Sequence, residues 1–251
     1  MALAEVPNLG TTFKQYFEFV PALTDELRDE AYRIRHRVYC EELGFEPEQR
    51  DRRERDEYDA HSLQCLIRRM PGGAYAACTR LVFARPGDPF YPLPFERTCA
   101  KATDRWIVDP RALPRGRIAE VSRLAVIADY RRRLGEQTEA APLTDASFTA
   151  APMPRFPYLM IGLYLGTVEL ASLRGVDTLF VLTEPKLAKH FARLGVEIKQ
   201  IGSAVEHRGK RIPSMMNVQS IIAGLNAVVR PLYDVIAEEI RAAVRAHGIS
   251  P

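Results

Sequence analysis

Residues 32–59 read YRIRHRVYCEELGFEPEQRDRRERDEYD. The first part continues a helix that opens at Thr24, whose hydroxyl suits a cap, with Asp25 and Glu26 favouring the positive end. Leu27, Ala31, Ile34 and Val38 form its apolar stripe. Arg28, Tyr32, Arg35 and Tyr39 line the adjacent stripe, which carries Arg35 and Tyr39 to the C-terminal end of the helix, with Phe45 just past its exit. The second part packs Glu54, Asp56 and Asp59 into six residues. Three acids crowded beside aromatics and an arginine repel one another unless something cationic sits among them, and an ammonium-bearing substrate would fill that role. Interleaved with Arg52, Arg53 and Arg55, the same acids also read as a solvated loop.

Upstream, Phe13, Gln15, Phe17 and Phe19 alternate with Lys14, Tyr16 and Glu18, which predicts a first strand over 12–20. Downstream, strands over 61–69 and 75–84 flank Met70-Pro71-Gly72-Gly73 and read as a hairpin. Pro86, Pro89, Pro92, Pro94, Pro110 and Pro114 make 84–116 a long irregular excursion of the kind that often forms a lid. A strand over Arg117–Val126 follows, ending at Asp129-Tyr130, and after it a triple arginine and a second irregular stretch over 136–157. The pattern then predicts a helix over 158–174 stopped by Gly175, a strand over Thr178–Thr183 and a helix over Lys186–Leu194 stopped by Gly195. Strands near 197–202 and 204–208 or beyond, with a tight turn at Arg208-Gly209, complete the core. Helices over 218–229 and 231–246 close the chain, Pro231 standing at a helix start. This order predicts an α/β (α+β) fold, a mixed and largely antiparallel sheet flanked by helices. Residues 1–217 form one domain with insertions at 85–116 and 136–157, and 218–251 form a helical extension packed on it.

At 251 residues and 47% hydrophobic composition the chain buries a full core in one large domain. A formal charge of +3 implies no nucleic acid or other polyanion as partner, although the basic runs at Arg131-Arg132-Arg133, Lys186–Arg193 and Arg208-Gly209-Lys210-Arg211 suit a local acidic one. Cys40, Cys65, Cys78 and Cys99 form no CxxC pair and no metal-ligand spacing with histidine, so reduced thiols in a cytoplasmic protein are expected, with no metal. The beginning of the chain lacks a secretory pattern. The apolar run Tyr158–Leu173 is shorter than the roughly 20 residues of a membrane span and carries Glu169, which predicts a buried helix. The five histidines are scattered, and none pairs with Ser or Cys in a nucleophilic order, which disfavours covalent catalysis.

Arg35-His36-Arg37-Val38-Tyr39 with Phe45, then Glu54-x-Asp56-x-x-Asp59, then Thr79-Arg80-Leu81, then Glu120-Val121-Ser122-Arg123, resembles the signature of the acyl-homoserine lactone (autoinducer) synthases. The predicted order of strands and helices is likewise similar to the GNAT acyltransferase fold. Tyr39 and Phe45 stand where those synthases usually carry Phe and Trp, and the chain is longer. These departures, with Asp56-Glu57-Tyr58-Asp59-Ala60-His61-Ser62 and Arg123-Leu124-Ala125-Val126, are closer to the exosortase/PEP-CTERM-associated acyltransferases and the N-acyl amino acid synthases. The resemblance implies an acyl group delivered on acyl carrier protein, acyl-CoA being the alternative donor, and no bound cofactor. The acceptor is an amino acid or S-adenosylmethionine, which present the same α-ammonium carboxylate.

Aminolysis of a thioester needs a neutral amine from a group that is mostly protonated at neutral pH. Asp56 and Asp59 suit the ammonium form, and a desolvated Glu120 suits its proton. Arg35, Arg80 and Arg123 suit an acceptor carboxylate or the acids. Glu54, Ser122, Tyr39 and Phe45 complete the expected acceptor site. Glu120 and Arg123, three apart, face opposite sides of a regular strand, so a shared cleft requires a bulge between them, and the resemblance implies one; without it the two read as a buried ion pair. Arg131, Arg132, Arg133 and Gly135 resemble the phosphate loop of the fold and are expected to meet the phosphopantetheine or the carrier protein. Gly162 and Gly166, with Met160, Leu163, Tyr164 and Val168, border either an acyl tunnel or ordinary core. The reading is an N-acyltransferase making an N-acyl amino acid. The alternatives are an acyl-homoserine lactone synthase, an acetyl-CoA-dependent N-acetyltransferase and a noncatalytic carrier-binding module.

Overall fold

The computed structural model describes residues 8–131, 158–185, 188, 191, 192 and 195–248. A helix, α1 (Leu9–Tyr16), occupies most of the span predicted as the first strand. Asn8 accepts from the Gly10 and Thr11 amides, and the Thr11 hydroxyl accepts from the Asn8 amide in return. Leu9, Phe13 and Phe17 are buried at four-residue spacing. Periods of two and four coincide at Phe13 and Phe17, and the cap decides between them. The strand that remains, β1, is Phe17–Pro21.

The second helix, α2 (Asp25–His36), opens as expected with the Thr24 hydroxyl accepting from the Leu27 amide, then widens over Arg37–Glu42 into a π-helical turn. The hairpin forms as β2 (Ser62–Arg69) and β3 (Tyr75–Phe83), and β4 (Ile118–Val126) follows the excursion, which holds one short helix, α3 (Pro94–Thr98). Next come α4 (Ala128–Arg131), α5 (Tyr158–Leu173) and β5 (Thr178–Thr183). The strands expected at 197–202 and 204–208 shrink to two-residue pieces, β6 (Lys199–Gln200) and β7 (Val205–Glu206), and the long strand is β8 (Lys210–Asn217), beyond the Arg208-Gly209 turn. Pro213 inside β8 disguises it, because proline reads as a strand breaker. The chain closes with α6 (Val218–Gly224) and α7 (Arg230–Ala246). The helix expected over Lys186–Leu194 falls largely outside the described residues, as do Arg132, Arg133, Gly135 and the stretch 136–157.

The sheet runs β1-β2-β3-β4-β5-β8-β6, with β7 added on β8, and only the β4–β5 pair is parallel. On it α5 is buried nearly all round; a Cβ at Gly166 would lie 2.0 Å from the Phe19 ring, so glycine there lets helix and sheet meet. Leu232, Ile236 and Ile240 of α7 join the same core, and Glu239 accepts from the Phe19 amide at 2.9 Å, which occupies the open edge of β1. No described helix is long and apolar enough to cross a membrane.

The excursion is pinned. Arg115 donates to the carbonyls of Pro89 at 2.8 Å and Tyr91 at 3.2 Å and pairs with Glu96 at 2.8 Å. Leu93 and Phe95 form a second small core with Tyr58, Val82, Ile118 and Phe180. Through Val82, Ile118 and Phe180 the excursion packs on β3, β4 and β5.

Candidate active site

Two departures from regular pairing open the sheet at its centre. First, β4 and β5 pair only from Ile118–Val121 with Thr178–Val181, so Ser122–Val126 has no partner strand on that side. Second, the β3–β4 register shifts between Cys78 opposite Ala125 and Arg80 opposite Ser122, leaving Thr79 across from both Arg123 and Leu124. That is the bulge the Glu120–Arg123 spacing required. Arg123 takes up the extra length at φ +53°, in the left-handed region. The Tyr39 hydroxyl donates to the Leu124 carbonyl at 2.8 Å and the Thr79 hydroxyl to the Ser122 carbonyl at 3.1 Å, which satisfies two carbonyls of the bulged stretch.

Beneath the bulge, arginines and acids alternate. Arg35, wholly buried, donates to Glu54 at 2.5 Å and Asp59 at 2.6 Å. Arg80, equally buried, holds Asp56 through two nitrogens at 2.5 and 3.1 Å and reaches Asp59 at 2.8 Å and the Ser122 hydroxyl at 3.2 Å. Arg123 pairs with Glu54 at 3.0 Å and Asp56 at 3.1 Å. The three acids thus meet three arginines of the chain itself, and the expectation that a substrate ammonium must neutralise them is corrected. The reason is distance: Arg80 and Arg123 lie on strands remote in sequence and reach the cluster only through the sheet. Asp56 and Asp59 also cap the turn at Glu57–His61, Asp56 accepting from the Tyr58 amide and Asp59 from the Asp56 amide. Burial pushes the Asp59 carboxyl up, but Arg35 and Arg80 overcome it and hold it at about 2. Burial acts the same way on Asp56, and Arg80 again outweighs it, leaving that carboxyl below its ordinary range.

Glu120 differs. It is 2% exposed, and among the described residues its one hydrogen bond comes from the Phe95 amide at 2.7 Å. Burial pushes its carboxyl up to about 8, against the Phe95 hydrogen bond and the charge of Arg80. A carboxyl held near the working pH can take and return a proton, which Asp59 cannot.

Above this layer lies a cavity of about 680 Å³ between the splayed strands. Of the residues expected in the site, Tyr39, Phe45, Asp56, Arg80, Glu120, Ser122, Arg123 and Arg131 line it. Arg35, Glu54 and Asp59, expected to touch the acceptor, are not among the lining residues; they sit in the layer below, paired with one another and with Arg80 and Arg123. Phe45 is 42% exposed at the mouth. Arg131 pairs with Glu42 at the rim. Gly162 and Gly166 belong to the core, since a Cβ on either meets Phe13 or Phe19, whereas Met160 and Tyr164 of the same helix line the cavity with Phe191, Ile198 and Met216 and form an apolar arm.

Sequence reasoning missed several lining residues. Tyr58 stood inside the quoted acidic motif and passed as spacing; it is 7% exposed and its hydroxyl has no partner among the described residues. Arg208 and Arg211 had shown only as part of a charge run; Arg208 pairs with Glu46 and lies 5.6 Å from the Tyr39 ring centre. Arg97 and Thr98 gave no local signal, because only the packing of the excursion brings them to the cavity.

Residues 34–139 match the acetyltransferase (GNAT) domain family. Among solved structures, the fold is similar to the AHL synthase LasI, with TM-score 0.57 and 16% identity over 85% of this chain and 98% of that one. It is similar to BjaI, a CoA-dependent acyl-homoserine lactone synthase solved with SAM and isopentyl-CoA, with TM-score 0.54 and 17% identity over 88% and 98%. It is similar also to FeeM, an N-acyl amino acid synthase from uncultured soil microbes, with TM-score 0.54 and 15% identity over 83% and 94%. No protein of curated function matches the chain by sequence. At these identities the likeness is one of fold.

Proposed function

We propose that this acyltransferase of GNAT fold moves a fatty acyl group from the thioester of acyl carrier protein to the α-amine of an amino acid, giving an N-acyl amino acid in the cytoplasm. The observation that carries the reading is Glu120, a buried carboxyl poised near neutrality, in a cavity whose other arm is apolar. The acceptor ammonium gives a proton to ionised Glu120, and the freed amine attacks the thioester carbon. The C–N bond forms and the C–S bond breaks; the thiolate leaves as the thiol with the proton that Glu120 returns, and the second proton of the attacking nitrogen, shed as the tetrahedral centre collapses, passes to the re-ionised Glu120 and on to solvent. The stretch Ser122–Val126, which lacks a β5 partner, is assigned to supply the amides that meet the carbonyl oxygen as it gathers charge. The acyl chain lies along Met160, Tyr164, Phe191 and Met216, and Arg131, Arg208 and Arg211 receive the phosphate of the pantetheine arm. Asp56 is assigned to orienting Arg80 and Arg123 instead of binding the ammonium itself, since its oxygens already accept from the chain.

The test is mass spectrometry of lipid extracts from cells overproducing the wild type and Glu120→Gln, joined to a turnover assay on the purified pair. An N-acyl amino acid found only with the wild type, and a rate about 10²- to 10⁴-fold lower in the variant, are the expected results. An acyl-homoserine lactone instead would transfer the assignment to the lactone synthases, acetylated amines to an acetyltransferase, and no difference between the extracts would sink the catalytic reading in favour of carrier binding.

A further inference from the structure

Tyr58 is among the residues that line the cavity, its ring forms part of the small core with Phe95, and its buried hydroxyl has no partner among the described residues. A buried hydroxyl left unpaired lowers the stability of a protein, so its retention calls for a reason outside folding. Two guanidiniums flank the same ring: Arg97 stands 5.5 Å and Arg80 6.0 Å from its centre. Arg80 is spent on Asp56 and Asp59 and is fully buried. Arg97 is different. It leans on the Tyr91 ring at 4.6 Å, pairs with exposed Glu57 at 2.6 Å, lines the cavity and keeps other donors. It is also two residues from Phe95, whose amide holds Glu120. Tyr58, Arg97 and Glu120 therefore line one cavity, Arg97 standing against the Tyr58 ring and the excursion supplying both Arg97 and the Phe95 amide that holds Glu120.

We propose that Tyr58 and Arg97 form the carboxylate seat of the acceptor, the phenol and the guanidinium each donating to it while the α-amine, one carbon away, reaches Glu120. This deepens the amino-acid reading and rests on it. The phenol stays protonated throughout the working range, because burial pushes it up to about 12. An anion is favoured over a neutral group by Arg97, whose one acidic partner, Glu57, is exposed. The remaining source of anion, the phosphate of the donor, is separated by the assay.

The experiment offers the purified protein each of the twenty protein amino acids as free acid and as α-carboxamide, with an acyl-carrier-protein thioester as donor, for wild type, Tyr58→Phe and Arg97→Gln. The wild type should acylate free acids and discriminate against the amides. Tyr58→Phe should raise KM for the acid about ten- to a hundred-fold, as expected for a lost hydrogen bond to a charged group, with KM for the donor unchanged and Tm equal to or above wild type. Arg97→Gln should also raise the acceptor KM, and both variants should lose the preference for acid over amide. A rise in donor KM alone would reassign the pair to the phosphate. An unchanged acceptor KM in both variants, or a wild type indifferent to the carboxylate, would overturn the seat while leaving N-acylation standing. If the wild type acylates no free amino acid, the reading of the function falls and the seat falls with it.

Discussion

Glu120 and Asp59 are both buried carboxyls of one polar centre, yet their surroundings send them in opposite directions. Unfolded, they titrate near 4.5 and 3.8; folded, burial takes Glu120 to about 8, and Arg35 and Arg80 overcome burial to hold Asp59 at about 2. Between pH 4.5 and 8 the folded state binds the proton of Glu120 more tightly than the unfolded state, so this residue lowers stability as pH rises through that window. Asp59 contributes stability above its unfolded value and loses it as pH falls from 3.8 toward 2. Melts as a function of pH should therefore show Glu120→Gln gaining on the wild type from pH 5 to 8. Asp59→Asn should be less stable by about 1.5–3 kcal/mol at pH 7, since Arg35 and Arg80 would each lose one of their two acidic partners and keep the other, Glu54 or Asp56, and the deficit should shrink in acid. Parallel curves for the two variants would contradict the contrast. The identity of these residues was legible in the sequence, as was the wish of the acids for cations. Arg35, Arg80 and Arg123 were legible as candidates either for the acids or for an acceptor carboxylate, and the choice between those partners was not, because Arg80 and Arg123 reach the cluster from strands that lie far along the chain.

At the scale of elements, the capped helix, the hairpin, the apolar helix and the strand at Thr178–Thr183 follow from local spacing, and each appears within a residue or two of its expected bounds. The bulge was expected as well, the three-residue interval between Glu120 and Arg123 leaving it open and the resemblance to the acyltransferase fold implying it. The first helix and the last long strand were misread, one because two periodicities coincide, the other because proline masked it. The excursion is the element whose role sequence left open, since its prolines say only that it is irregular. Arg115 stitches it together, so Arg115→Ala should release it: Glu96 and the carbonyls of Pro89 and Tyr91 lose their donor. Limited proteolysis should then cut within 85–116, and turnover should fall by at least tenfold as the amide of Phe95 and Arg97 leave Glu120. Undiminished turnover in a protein cut there would show that the excursion is dispensable.

For the whole molecule, the charge of +3 conceals a local imbalance. Arg80, Arg97, Arg123, Arg131, Arg208 and Arg211 line the cavity, each paired with an acid, but of those acids only Asp56 and Glu184 share the lining, and Glu120 is largely protonated at neutral pH. A basic opening draws an acidic carrier, so kcat/KM for a carrier-bound donor should drop several-fold between low and physiological salt, while a pantetheine thioester without phosphate should change little. Equal salt dependence would argue against electrostatic recognition of the donor. The sequence by itself determined most of the elements, the mixed sheet and the run of acids and arginines, because caps, turns, side-chain periods and motif spacings act over a few residues. Only the tertiary structure decided that Arg35, Glu54 and Asp59 support the site from below, that Glu120 is shielded from charge partners, and that Tyr58 and Arg97 line the cavity. Burial and ion pairing depend on which distant segments the sheet brings together, and no local pattern encodes that.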